Sequence, residues 1–147
     1  MKVCEEFYIN GEWVKPVNDL KTLDVINPAT EEVFGRIALG DKDDVDAAVE
    51  AAYAAFESFG YSSVEERVSL LEKILEVYQG KYDEIAETIS SEMGAPIGLS
   101  KAAQAATGLG HFSTALETLK NYKFEEVKGS ALIRKEPIGV VGMITPW

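Results

Sequence analysis

The sequence predicts an α/β fold in which two β-hairpins come first, four helices follow and a buried parallel strand begins a sheet at the end. Three observations predict it. Apolar and polar residues roughly alternate through the first 38 residues, the period lengthens to about 3.6 from Asp41 onward, and a continuous apolar run occupies Ile138 to Trp147. At 147 residues the chain has the length of about one domain. Its 46% hydrophobic and 27% charged content calls for a core and is unlike that of an apolar-poor disordered chain.

From Phe7 to Val14 the alternation is centred on Asn10-Gly11, a dipeptide that takes the positive dihedrals of a tight hairpin turn. Thr22 to Ile26 and Glu32 to Ala38 form the second strand pair, separated by Asn27-Pro28-Ala29-Thr30. The proline ring bars the helical region to the asparagine before it, so the chain turns there. Asp41 then opens a helix to about Ser58, with Asp44 three residues on as its capping partner. Its predicted buried stripe is Val45, Ala48, Val49, Ala52, Ala55 and Phe56.

Ser63 and Glu66 form a second capping pair, followed by Val68, Leu71, Leu75 and Tyr78 at spacings of three and four. Gly80 breaks or bends this helix. The third stripe, Tyr82, Ile85, Ile89 and Met93, ends at Gly94, which can take the left-handed conformation that closes a helix. Pro96 suits the first position of a fourth helix running to about Lys120. On that helix Ala103, Ala106 and Gly110 leave room for a neighbouring backbone, a sign of tight packing more than of a ligand site. Charged residues occupy 123–128, a strand follows over Ala131 to Lys135, and the final apolar run reads as a strand buried on both faces.

Charge and composition narrow the function. A net charge of −11 with no local Lys/Arg cluster excludes a phosphate-tracking nucleic-acid binder. No apolar run approaches the roughly 18 residues of a membrane span, and the N-terminus lacks the layout of a signal peptide, so a cytoplasmic location is expected. Cys4 is the only cysteine and His111 the only histidine, which leaves no internal disulfide and no Cys/His zinc set.

Neither residue makes a convincing reactive centre. Cys4 lies near the terminus beside Glu5 and Glu6, whose charges disfavour the thiolate. His111 could serve as a general base, but the commoner role for such a residue is a half-buried histidine bonded to a carbonyl. Adjacent acids such as Glu31-Glu32 and Glu125-Glu126 point apart on a regular element and read as solvated charges. Gly139 and Gly142 do not complete the G-x-G-x-x-G dinucleotide loop, and no G-x-x-x-x-G-K-S/T loop is present. Residue chemistry alone names no reaction.

Longer blocks say more. Phe7-Tyr8-Ile9-Asn10-Gly11-Glu12-Trp13-Val14, then 25–33 (Val-Ile-Asn-Pro-Ala-Thr-Glu-Glu-Val) and 40–49 (Gly-Asp-Lys-Asp-Asp-Val-Asp-Ala-Ala-Val) resemble the opening of an aldehyde dehydrogenase. Glu65-Glu66-Arg67, Glu92-Met93-Gly94-Ala95-Pro96 and the closing Glu136-Pro137 to Pro146-Trp147 are similar to the same family, in order and in register. The resemblance covers essentially the whole chain. It implies the N-terminal part of the family's fold, incomplete, with the start of a Rossmann-like sheet. Residues 1–147 would be the N-terminal segment of the cofactor-binding domain, 123–137 would contribute to an oligomerisation strand, and the catalytic domain would be absent.

The resemblance further implies an oxidoreductase that forms a thiohemiacetal on a cysteine, passes hydride to NAD or NADP and hydrolyses the thioester. The family's cysteine, its glutamate base and the asparagine following Thr-Pro-Trp have no counterpart within these 147 residues, so the resemblance implies no catalytic residues here and this chain alone should be inactive. Ile144, Thr145, Pro146 and Trp147 would line the nicotinamide-ribose end of the cofactor groove. Ile26, through its carbonyl, and Glu92 would hold a structural Na⁺ or K⁺, although the family more often has Asp at the second position. Expected partners are an aldehyde, NAD(P) and further copies in a homo-oligomer, with no nucleic acid and no membrane.

Orphaned apolar area weakens a fold by about 25 cal/mol per Å², which predicts a poorly stable, association-prone chain. Two other readings compete: an interaction module that docks onto a homologue or a separate C-terminal half, and a small acidic helical binding protein.

Overall fold

The computed structural model describes residues 1–145. Five strands come first: β1 (Lys2–Cys4), β2 (Phe7–Ile9), β3 (Glu12–Val14), β4 (Lys21–Asn27) and β5 (Glu32–Leu39). Helices α1 (Lys42–Phe59), α2 (Val64–Gly80) and α3 (Tyr82–Met93) follow. A long helical run then passes through α4 (Ile97–Leu99), a π-helical turn (Ser100–Ala105) and α5 (Ala106–Asn121), and a hairpin of β6 (Glu125–Lys128) and β7 (Ala131–Arg134) comes last.

Local chemistry explains the turns. Asn10 and Gly11 have φ of 53° and 82°, as a two-residue turn with right-handed twist requires, and β2 pairs antiparallel with β3 around them. In the second hairpin Asn27 Oδ1 accepts from the Ala29 amide at 2.9 Å and the Asn27 carbonyl accepts from the Glu31 amide at 2.8 Å. The β1 strand is an addition to the sequence prediction. It pairs parallel with β5, Lys2 opposite Gly35 and Cys4 opposite Ile37, so the three-stranded sheet runs β1-β5-β4. Three residues are too few to show an alternation, and the partner lies some thirty positions away.

Both predicted capping boxes form. At α1 the Asp43 amide donates to Asp41 and the Asp41 amide to Asp44; at α2 the Glu66 amide donates to Ser63 Oγ at 3.1 Å and the Ser63 amide to Glu66 at 2.7 Å. The predicted stripe of α1 is a different matter. Val45 and Val49 are 58% and 50% exposed, while Asp44 is the buried residue of the helix. Among the described residues β2 only borders the start of the apolar stripe and leaves most of it in water, whereas Asp44 turns inward because its carboxylate accepts both the Asp41 amide and the Val17 amide, the latter at 2.8 Å.

The core is small, formed by Ala38, Ala86, Ala105 and Leu116 among the described residues, with α2 packed on α5 and α3 on the π turn. Of the three small residues predicted to allow close packing, only Ala106 is half-buried. Ala103 and Gly110 are exposed, while Ser100 and Ala105 are fully buried and Gly108 is approached by Tyr78. The π turn shifts the phase of the helix relative to an unbroken period of 3.6.

Two further expectations change. His111 is exposed rather than half-buried. Ile138 to Thr145 forms no strand: these residues take no regular secondary structure, and Ile138 is 95% exposed. A parallel strand needs hydrogen-bonding neighbours on its edges, and among the described residues no strand pairs with this run.

Candidate functional site

Of the four residues expected at a cofactor, Ile144 is wholly exposed and Thr145 is exposed, while Pro146 and Trp147 lie outside the described residues. The structure brings Ile144 and Thr145 together with no polar constellation. Cys4 is exposed in β1 and His111 exposed on α5, so neither has the desolvated, partnered setting of a nucleophile or base.

The elements carrying Ile26 and Glu92 do meet. Gly94 closes α3 in the left-handed region, φ 69°, and its amide donates to the Ser90 carbonyl at 2.9 Å. A Cβ placed on Gly94 would lie 2.9 Å from Pro28 Cγ and 3.2 Å from the Ala29 nitrogen, so the end of α3 sits directly on the Asn-Pro turn. Ile26 lies just before that turn, at an irregularity of the β4-β5 ladder, and Glu92 is exposed in the last turn of α3. Among the described residues no group of three or more His, Cys, Asp or Glu side chains is placed to hold a metal.

Two apolar recesses open to solvent. One lies between β2 and α1, with Phe7, Ile9, Val45 and Ala48 beside Asp44. The other lies between α2, α3 and α5, where Ile74, Val77, Tyr78, Ile85 and Phe112 are flanked by Lys73 and Lys81. A site for a small molecule needs polar groups converging on an enclosed pocket, and neither recess has them.

The best-developed polar network surrounds the π turn, which no local sequence pattern signals. Tyr78 Oη donates to the Ala105 carbonyl at 2.9 Å and Tyr82 Oη to the Lys101 carbonyl. Ser100 Oγ donates to Gln104 Oε1 at 3.0 Å, and Gln104 Nε2 reaches Met93 Sδ at 3.4 Å. Lys101 pairs with Asp83 at 2.7 Å, and Lys120 with Glu72 at 3.1 Å. Burial, with a smaller contribution from Tyr82, pushes the Tyr78 phenol above its ordinary value. Hydrogen bonds donated to the carboxylates of Asp83 and Glu72 hold the ammonium groups of Lys101 and Lys120 above theirs. At the other end of the molecule, hydrogen bonds led by that from Asn18 hold the Asp41 carboxyl below the usual range.

These shifts have a sign. A group raised in the folded state adds stability that is complete below its unfolded value and is lost as pH rises through the folded one. Tyr78, Lys101 and Lys120 all act this way, so the contacts joining α2 and α3 to the long helix should loosen above about pH 10. Amide exchange across 101–120, compared with α1 between pH 8 and 11 after correction for intrinsic rates, is expected to show that selective loss.

Comparison with known proteins gives this arrangement its context. The sequence profile of the aldehyde dehydrogenase family matches residues 13–147. A Staphylococcus aureus protein named provisionally as an aldehyde dehydrogenase is 52% identical over 140 residues, covering 95% of this chain and 29% of its own. Two crystal structures resemble the fold. The aldehyde dehydrogenase of Bartonella henselae is 41% identical at a TM-score of 0.85, over 88% of this chain and 28% of that one. Aldehyde dehydrogenase C of Pseudomonas syringae, solved as a mutant with NAD⁺ and octanal, is 39% identical at a TM-score of 0.88, over 92% and 28%.

The chain thus spans less than a third of the length of these relatives and corresponds to the N-terminal part of their fold. That correspondence explains why a helical layer with exposed apolar faces is present without a reacting centre. The chain belongs to the aldehyde dehydrogenase family.

Proposed function

We propose that these residues serve an enzyme that oxidises an aldehyde to a carboxylic acid with NAD or NADP, and that the 147-residue chain is inactive by itself. The observation that carries the reading is the family match over residues 13–147, reinforced by a structural relative that holds NAD⁺ and octanal. When bound, the dinucleotide supplies the hydride acceptor. Residues 1–147 are the N-terminal segment of the cofactor-binding domain. Ile144, Thr145, Pro146 and Trp147 border the nicotinamide ribose, a reading supported by the family match, which runs to residue 147.

The β6-β7 hairpin, within 123–137, serves oligomerisation of like chains. Its two strands stand as a separate sheet with Val127 72% exposed, and an isolated hairpin of this kind gains stability from a further strand or surface. Ile26 and Glu92 offer oxygen donors to Na⁺ or K⁺ where α3 meets the Asn-Pro turn. Oxygen donors suit a hard cation, and further ligands would come from outside this segment. The location is cytoplasmic, in keeping with the finding that no helix of the described residues is long and apolar enough to cross a membrane.

Incubating the purified 147-residue chain with octanal and NAD⁺ tests the assignment of the reacting groups. NADH formation should not exceed that of a protein-free control. Turnover above that control would place a nucleophile and base within these residues.

A further inference from the structure

We propose that the phenols of Tyr78 and Tyr82 form a clamp that fixes a π-helical register in the helical run Ile97–Asn121, and so sets the rotational phase of everything N-terminal to that turn. The two tyrosines straddle the joint between α2 and α3, Tyr78 in the last turn of one and Tyr82 the first residue of the other. Their hydroxyls donate to the carbonyls of Ala105 and Lys101, which are the last and the second residues of the π turn. Donors and acceptors are thus both four residues apart, on two elements that face each other.

A π turn stretches each amide to the carbonyl five residues back and leaves the ladder irregular, so carbonyls there have acceptor capacity that an α-helix would use. Hydroxyls fill it. Besides the two phenols, Thr107 Oγ1 donates to the Ala103 carbonyl at 2.8 Å, where the Ala106 amide also bonds. Gly108 makes the access possible: a Cβ there would lie 2.2 Å from Tyr78 Oη.

The register decides which residues are inside. Ser100 and Ala105, five apart, are both fully buried. In an unbroken α-helix the residue one turn before Ala105 would be Lys101 or Ala102, and the segment would be rotated by about 100°. Lys101 would then leave its exposed pairing with Asp83, and Ser100 would leave the chain of contacts through Gln104 to Met93. The clamp therefore makes Tyr78 and Tyr82 positioning residues for the segment Pro96–Gln104. This inference rests on the geometry alone and is independent of the enzymatic reading.

Tyr78→Phe, Tyr82→Phe and the double variant keep the rings and remove the hydroxyls. Amide exchange of the full chain, with backbone chemical shifts, reads the register residue by residue. The double variant is expected to lose protection over 101–109 by about tenfold or more and to shift toward α-helical values there, with α1 unchanged. Ser63→Ala, which removes the α2 cap, is the control for general destabilisation and should not produce that local pattern. Should the double variant not fold, Tyr82→Phe alone is expected to show the loss near Lys101, and Gly108→Ala, which displaces only the Tyr78 phenol, the loss near Ala105. Unchanged protection and shifts over 100–109, or a loss spread evenly over all helices as in Ser63→Ala, would overturn the clamp.

Discussion

Gly94→Ala is expected to lower the stability of the chain by about 2–3 kcal/mol, from two effects that add at one atom. Gly94 sits at φ 69°, and a Cβ in the left-handed region alone costs roughly 1–2 kcal/mol. The same Cβ would meet Pro28 Cγ at 2.9 Å and the Ala29 nitrogen at 3.2 Å, so the turn must retreat from the end of α3. A ring carbon and a backbone nitrogen yield less readily than the tip of a long side chain. Gly94→Asn separates the effects, because asparagine tolerates the dihedral but keeps the collision. Urea midpoints measure both, and an alanine variant within about 0.5 kcal/mol of the parent would contradict the packing described.

Leu116→Ala is expected to cost about 2–4 kcal/mol. Leu116 is the largest residue of the core named above, 8% exposed on the face of α5 that packs against α2. With so few fully buried apolar residues, a loss of this size is a large part of an ordinary folding margin. Thermal or urea unfolding followed by helical circular dichroism should show the transition shifted well down or abolished. Val127→Ala, on an exposed strand, should leave it within about 0.5 kcal/mol.

What the sequence made legible was local. Asn10-Gly11, the Asn-Pro turn, the Asp41 and Ser63 boxes and the Gly94 closure each depend on a few adjacent residues, and each is found as read. The errors concern distant partners. Asp44 is buried because Val17 reaches it, β1 exists because β5 is beside it, and Val45 and Val49 stay largely exposed because β2 only borders the stripe of α1. The π turn was illegible for a different reason: its stabilising donors come from Tyr78 and Tyr82 across the α2-α3 joint, and no local propensity encodes it. The candidate site was legible only as family blocks. Ile144 and Thr145 belong to a block that is recognisable as sequence, yet they themselves take no regular secondary structure.

The apolar residues of α1 and of the Ile138–Ile144 segment are largely exposed, and patches of this kind promote association. On the proposed function, residues 1–147 are a working N-terminal part of an aldehyde dehydrogenase. The direct measurement replaces the corresponding segment of the Staphylococcus aureus relative, 52% identical over 140 residues, with this chain and follows aldehyde-dependent reduction of NAD⁺ or NADP⁺. A chimera that folds and reduces the dinucleotide only when an aldehyde is present is the predicted result. A chimera that folds as its parent does, under conditions where the parent is active, yet turns over no aldehyde would contradict it.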